Sequence, residues 1–155
     1  MKIITILVGI ALLPVTAFAK EKDSDKAVPD ASLSEVRFGD VVNDVPFDKE
    51  SLAGKVVVVE MWGVNCPPCI ASLPDLAKLA KSNEKKGLVV VGLECQGGTK
   101  EQILKILKDA RVKFPVMSGG SVPVESEGIP HACVFNPHDD DFERAVKKEL
   151  RGMKK

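Results

Sequence analysis

The chain has 155 residues, of which 45% are hydrophobic and 28% are charged. This composition fits one ordinary globular core, and it excludes a collagen-like, coiled-coil or wholly disordered chain. Lys and Arg together number 22, as do Asp and Glu, so the chain lacks the basic surplus of a nucleic-acid-binding protein and we predict no nucleic-acid partner.

Residues 1–19 are typical of a secretory signal peptide. Lys2 supplies the positive charge, residues 3–15 are almost entirely apolar, and Ala17-Phe18-Ala19 is a small-residue cleavage pattern. An uncleaved membrane anchor is the alternative, but the apolar run is shorter than the roughly 20 residues that span a bilayer. We therefore expect export to the bacterial periplasm or cell envelope, with no stable membrane insertion after cleavage.

The mature chain divides into two parts. Residues 20–32 are charged or polar with little to bury, which predicts a mobile leader. Residues 33–155 contain the apolar patterns and form the predicted folded domain. In an oxidising compartment, pairs of cysteines in that domain become important.

The sequence of the first half of the domain predicts an edge hairpin, followed by two buried strands with a helix between them. Residues 36–42 with the turn at Asn43-Asp44 indicate a short edge hairpin. The run VVVVEMW at 56–62 is typical of a central strand that is covered on both faces. Apolar residues at helical spacing then lead to a glycine stop at Gly87, and residues 88–93 form a second buried strand.

The second half continues the alternation. Thr99 and Gln102 form a capping box at the start of a helix. Residues 132–135 predict a late strand and residues 139–153 a final helix. Strands alternating with helices predict an α/β domain around a small sheet.

Two cysteines separated by two prolines lie where the central strand ends and the first helix begins. Cys66 and Cys69 can close a disulfide there with little backbone movement. The free N–H groups of the helix should lower the pKa of the Cys66 thiol, which favours redox chemistry. The alternatives are a static disulfide and half of a zinc site, but no second Cys or His pair has zinc spacing.

The stretch EMWGVNCPPCIASLP, from Glu60 to Pro74, resembles the thioredoxin superfamily and within it the exported TlpA and ResA type of thiol–disulfide oxidoreductase. The similarity extends over most of residues 36–135 and includes Gly128-Ile129-Pro130 before the late strand. It implies a thioredoxin-like fold, a small central mixed sheet flanked by helices. It also implies protein thiols or disulfides as substrates, a membrane or soluble thiol as electron donor, and no cofactor.

The resemblance also implies roles for single residues. Cys66 matches the nucleophile and Cys69 the resolving thiol of a redox-active disulfide. Pro130 matches a cis-proline that faces the disulfide and, with Ile129, presents a backbone edge to the substrate. Trp62 packs beside this substrate-binding region.

Glu60 lies six residues before Cys66 and matches a buried acid that handles the proton of the resolving cysteine. A carboxyl group among valines is costly to bury, so we expect a raised pKa and a functional role. The alternative is that its head group reaches solvent at the end of the sheet.

Other cysteine and histidine residues leave two further functions open. Cys95 and Cys133 could pair with each other, but we expect both to be reduced beside a Cys66–Cys69 disulfide. Cys66, Cys69 and His131 could bind Cu(I) in a metallochaperone, although we predict no metal site. A substrate-binding thioredoxin-like module with little turnover is the second alternative.

The end of the domain departs from the family pattern. Residues 135–141 run almost directly into the final helix, where family members usually form one more antiparallel strand. We therefore predict a sheet that lacks its last edge strand, a change that could affect stability or partner docking.

Export gives a direct test at the N-terminus. Because small residues at 17 and 19 follow an apolar segment, the mature protein is expected to begin at Lys20. Intact-mass measurement on protein recovered from the cell envelope checks this expectation. A mass that includes Met1 would contradict the signal-peptide interpretation.

Overall fold

The computed structural model describes residues 32–135 and 140–153. The predicted signal peptide and residues 20–31 of the predicted leader lie outside these ranges. Within them, the helices are too short or too polar to cross a membrane.

The described residues form five strands and three helices. In chain order they are β1 (Arg37–Val41), β2 (Val56–Trp62), α1 (Pro67–Asn83), β3 (Leu88–Glu94), α2 (Lys100–Asp109), β4 (Val116–Ser121), β5 (His131–Phe135) and α3 (Asp140–Met153). Single turns of 3-10 helix lie at Leu33–Glu35, Glu50–Leu52 and Glu84–Lys86. The capping box predicted from Thr99 and Gln102 is present at the start of α2.

The strands form one mixed sheet in the order β1-β4-β3-β2-β5. The pairs β2–β3 and β3–β4 are parallel, whereas β1 and β5 pair antiparallel with β4 and β2. The predicted small central mixed sheet of a thioredoxin-like fold is thus confirmed. Within the described ranges β5 has β2 as its one neighbour, which agrees with the predicted loss of an edge strand.

The two faces of the sheet are covered differently. Buried side chains of all three helices join the core on one face, for example Leu73 from α1, Ile103 from α2 and Val146 from α3. The core of the other face is built from strand residues and from segments outside the three α-helices, including Val36 and Leu52. Val57, Val58 and Val59 are 0% exposed because β2 lies between these two cores.

The structure corrects one predicted element and adds another. The prediction of an edge hairpin at residues 36–44 is wrong, because β1 pairs with β4 and not with a strand next to it in the sequence. The Asn43 side chain helps to hold this pairing, donating to the Phe114 carbonyl at 2.9 Å and accepting from the Val116 N–H at 3.0 Å. The pattern VMSGGS did not predict β4, since its two glycines are typical of a turn.

Candidate redox site

The site lies where β2 ends and α1 begins. Residues 63–65 connect the two elements, and Cys66 is the N-cap of α1. Its own N–H donates to the Gly63 carbonyl at 3.1 Å. Pro67 and Pro68 occupy the first helical positions, where a missing backbone N–H costs nothing.

Cys66 and Cys69 are joined by a disulfide, with their Cα atoms 5.2 Å apart. The Cys69 N–H also lies 3.3 Å from the Cys66 sulfur, so this sulfur takes the place of the usual oxygen acceptor at the N-cap. Cys66 is 6% exposed and Cys69 is 1% exposed. An attacking thiol reaches Cys66 more easily than Cys69.

A second backbone segment, just before β5, lies beside the disulfide. The Ile129–Pro130 peptide bond is cis, as the resemblance implied, and both residues are half-buried. The carbonyl oxygen of Ile129 lies 3.8 Å from the Cys66 sulfur. The structure thus brings Ile129, Pro130 and Cys66 together at one point of the surface.

Glu60 is buried within the sheet and is 4% exposed. It lies opposite Gly92 of β3 and Ala132 of β5, so the alternative in which its head group reaches solvent is wrong. A small cavity beside it has a volume of about 10 Å³, roughly the space that one water molecule needs. The cavity is lined by Glu60, Ser72, Leu76, Leu150 and Met153.

Ser72 connects this cavity to Cys69. Its hydroxyl donates to the Cys69 carbonyl at 2.8 Å, one turn into α1. Glu60 therefore lies on the α1 side of the sheet, facing a cavity that also borders the turn holding Cys69. The raised pKa expected for Glu60 stays a prediction.

Trp62 supports the site from within the core. Its side chain is 0% exposed and belongs to the same buried cluster as Cys66 and Cys69. A Cβ on Gly92 would lie 3.3 Å from the indole nitrogen, so a glycine there leaves room for the ring. Because the ring is fully buried, the predicted contact between Trp62 and a substrate lacks support.

Glu94 and Gln96 are residues of the site that sequence reasoning missed. Glu94 ends β3 and is 0% exposed, and its carboxylate accepts N–H bonds from both loops at this edge of the sheet. The exposed Gln96 accepts a hydrogen bond from the Asn65 N–H. An acid at the end of a buried strand was the available signal, since buried acids are rare without partners.

His131 and Cys133 lie on the face of the sheet opposite to the disulfide. Residues two apart on a strand share a face, and the Cys133 sulfur lies 3.3 Å from Nε2 of His131. Cys133 belongs to one core, whereas Cys66 and Cys69 belong to the other. Among the described residues no three Cys, His, Asp or Glu side chains are placed to hold a metal ion, so Cu(I) binding through His131 lacks support.

Cys95 follows Glu94 on the surface and is reduced, as is the buried Cys133. Its sulfur lies 3.2 Å from the Trp62 carbonyl. Partial burial, and then the nearby charge of Glu94, raise the pKa of the Cys95 thiol. Cys95 should therefore be a poor nucleophile at neutral pH.

Alkylation measures the reactivity of the Cys95 thiol directly. With the Cys66–Cys69 disulfide intact, Cys95 is expected to react slowly with iodoacetamide near pH 7 and faster as the pH rises beyond the range of an ordinary cysteine, because the thiolate is the reactive form. Glu94→Gln should move this rise to lower pH. Peptide mass spectrometry of Cys95 across a pH series gives both profiles, and fast labelling at neutral pH would contradict the assignment.

Comparisons with known proteins place the chain in a family. A sequence profile of the AhpC/TSA family matches residues 25–126. The chain is 29% identical over 107 residues to NHL repeat-containing protein 2 of Gallus gallus, covering 66% of this chain and 14% of that protein. It is 25% identical over 117 residues to the thiol-disulfide oxidoreductase ResA of Oceanobacillus iheyensis, covering 72% of this chain and 59% of that protein.

A solved structure with the same fold is a thiol:disulfide interchange protein of the thioredoxin family from Chlorobium tepidum. The two share 24% identity and a TM-score of 0.57, and the match covers 74% of this chain and 93% of that chain. The profile match spans well over half of the chain, and the fold and the Cys66–Cys69 pair agree with it. The chain therefore belongs to the AhpC/TSA family of the thioredoxin superfamily.

Proposed function

We propose that this protein is a thiol–disulfide oxidoreductase that exchanges disulfides with protein substrates. The observation that carries the proposal is the disulfide between Cys66, at the N-terminus of α1, and Cys69, beside the half-buried Ile129–Pro130 edge. A static disulfide needs neither a helix N-terminus at one sulfur nor a backbone edge beside it. The ResA relatives support the same reaction class.

The exchange proceeds in two steps in the reducing direction. The Cys66 thiolate attacks one sulfur of a substrate disulfide, and the other substrate sulfur leaves as a thiolate. Cys69 then loses its proton and attacks the Cys66 sulfur, which closes the Cys66–Cys69 disulfide and releases the second substrate thiolate. The substrate gains two electrons and the protein loses two, and the reverse sequence oxidises a substrate dithiol.

The surroundings of the two sulfurs support these roles. The N-terminus of α1 stabilises a thiolate at Cys66, both as attacking and as leaving group. Cys69 is 1% exposed, so in this proposal it reacts only after Cys66 has formed the mixed disulfide with the substrate. In this proposal the Ile129 carbonyl, 3.8 Å from the Cys66 sulfur, accepts a backbone hydrogen bond from an extended substrate segment.

Glu60 is the proposed acceptor for the Cys69 proton. It is buried on the α1 side of the sheet, and the cavity that it shares with Ser72 has room for about one water molecule. Such a water can pass a proton between the Glu60 carboxyl group and the Cys69 thiol. Trp62 acts in this proposal by supporting the loop rather than by touching substrate.

The setting of this chemistry is proposed from the sequence and from the relatives. An apolar N-terminal segment with a cleavage pattern supports export to the periplasm or cell envelope. There the protein would exchange with protein thiols or disulfides, and a membrane or soluble thiol would supply its electrons. The chain spans less than two thirds of the curated relatives described above, so this setting is inferred for the matched domain.

Trapping tests the roles of the two cysteines. Cys69→Ser in a Cys95→Ser background is expected to accumulate mixed disulfides with substrate proteins, because Cys66 can attack but the complex cannot resolve. Cys66→Ser in the same background is the matched control and should trap few. Non-reducing gels of the exported protein, followed by mass spectrometry of the linked peptides, provide the measurement. Equal trapping by both variants would contradict the assignment.

Glu60→Gln tests the proton acceptor. Gln keeps the shape of the side chain but cannot accept a proton, so resolution of the mixed disulfide should slow on the order of 100-fold near neutral pH. The first attack should change little. Stopped-flow kinetics with a model disulfide separate the two steps, and Glu84→Gln, an exposed acid beyond the far end of α1, is the control. Unchanged resolution would remove Glu60 from the mechanism.

A further inference from the structure

The loop between β3 and α2 packs directly on the segment that leads into Cys66. The Cys95 N–H donates to the Trp62 carbonyl at 3.0 Å. Three residues after Trp62 and one residue after Cys95, the Asn65 N–H donates to Oε1 of Gln96 at 2.8 Å. Two hydrogen bonds therefore join these segments directly.

Two glycines allow this close approach. A Cβ on Gly63 would collide with the Gln96 side chain. A Cβ on Gly98 would collide with the Val64 side chain. Neither glycine has the positive φ that favours this residue, so the space between the loops accounts for both.

The Glu94 carboxylate bonds to both loops, the one that leads into Cys66 and the one that follows β3. Its Oε1 accepts the N–H of Val64 at 3.3 Å and that of Gln96 at 3.0 Å. Its Oε2 accepts the N–H of Gly97 at 3.1 Å and that of Gly98 at 3.0 Å. An ionised carboxylate only accepts, and four donors match its capacity. Glu94 therefore has a structural task that differs from proton transfer.

We propose that Glu94 and Gln96 are positioning residues for thiol–disulfide exchange, acting as a clamp on residues 63–65. The clamp is the Glu94 carboxylate together with the Gln96 side-chain amide. It holds Val64 and Asn65, the two residues before Cys66, and so fixes the nucleophile relative to the Ile129 carbonyl 3.8 Å away. This inference rests on the proposed function.

The physical reason lies in how Cys66 is attached. On its C-terminal side it is held by α1, whose first turn it caps. On its N-terminal side it is held by a loop of three residues, and the clamp bonds two of the three backbone N–H groups there. A protein substrate that docks on the Ile129 edge presents its disulfide at a fixed place, where a displacement of about 1 Å can cost up to 100-fold in rate. A small disulfide can turn freely to meet the sulfur.

Gln96→Met is the decisive variant. Met has a similar length but offers the Asn65 N–H no oxygen, and position 96 is exposed, so the fold should tolerate it. Exchange with reduced protein is measured against insulin and against a small aromatic disulfide, at a pH where Cys66 is ionised in each variant. We expect the insulin reaction to slow about tenfold and the small-disulfide reaction to stay within about twofold of wild type. Gln96→Glu, which keeps an acceptor oxygen, should restore the insulin rate.

Glu94→Gln extends the test to the carboxylate. The amide NH₂ would face N–H donors, so at least one loop loses its acceptor. Amide hydrogen exchange should then quicken at least tenfold either at Val64 or at Gly97 and Gly98, whichever side faces the NH₂ group, whereas the control Glu84→Gln leaves all three unchanged. Gln96→Met should have the same effect on the Asn65 amide. The Gln96 variant decides the matter if Glu94→Gln does not fold.

The outcomes separate the clamp from the proposed function. Wild-type protein that exchanges with insulin no faster than Cys66→Ser would overturn the function, and the amide-exchange results would then decide the clamp alone. An active wild type with unchanged Gln96→Met kinetics would overturn the clamp. Equal losses with insulin and with the small disulfide would also overturn it, because a general loss of Cys66 reactivity does not depend on docking.

Discussion

The parallel pairing of β2 with β3 determines where the reactive groups lie. The carboxyl ends of parallel strands meet at one edge of a sheet, and here Trp62 of β2 lies opposite Glu94 of β3. The loop that follows each strand therefore starts at the same place. The antiparallel partner β5 begins at that edge, so Ile129 and Pro130 arrive beside Cys66. Three segments that are far apart in the chain meet because of this arrangement.

Two buried acids, Glu60 and Glu94, lie on neighbouring strands in different surroundings. Glu60 faces a cavity with room for about one water molecule. Glu94 instead has four backbone N–H groups around its two oxygens. Four such bonds hold the two loops in place, while the task proposed for Glu60 is to accept a proton. In the proposed mechanism, neighbouring strands thus supply a support for the loop before Cys66 and a proton acceptor for Cys69.

The sequence predicted the parts of the fold that depend on local patterns. The run of valines in β2, the capping box of α2 and the Cys-Pro-Pro-Cys motif at a strand–helix junction each have a local physical cause. The partner of β1 could not be predicted in this way, because Asn43 is satisfied by Phe114 and Val116, more than 70 residues away. β4 escaped prediction because its glycines are weak strand formers that only the finished sheet accommodates.

The site shows the same division. Cys66 and Cys69 were indicated by their spacing at a strand–helix junction, and the family resemblance added Glu60 and Pro130 as candidates. Glu94 and Gln96 were missed because their importance comes from loop contacts that exist only after β2 and β3 have paired. The Glu94 carboxylate and the Val64 N–H that it accepts are 30 residues apart in the chain, so no local pattern indicates their contact. Only the parallel pairing of β2 with β3, which sets Trp62 opposite Glu94, brings the end of one strand to the loop that follows the other.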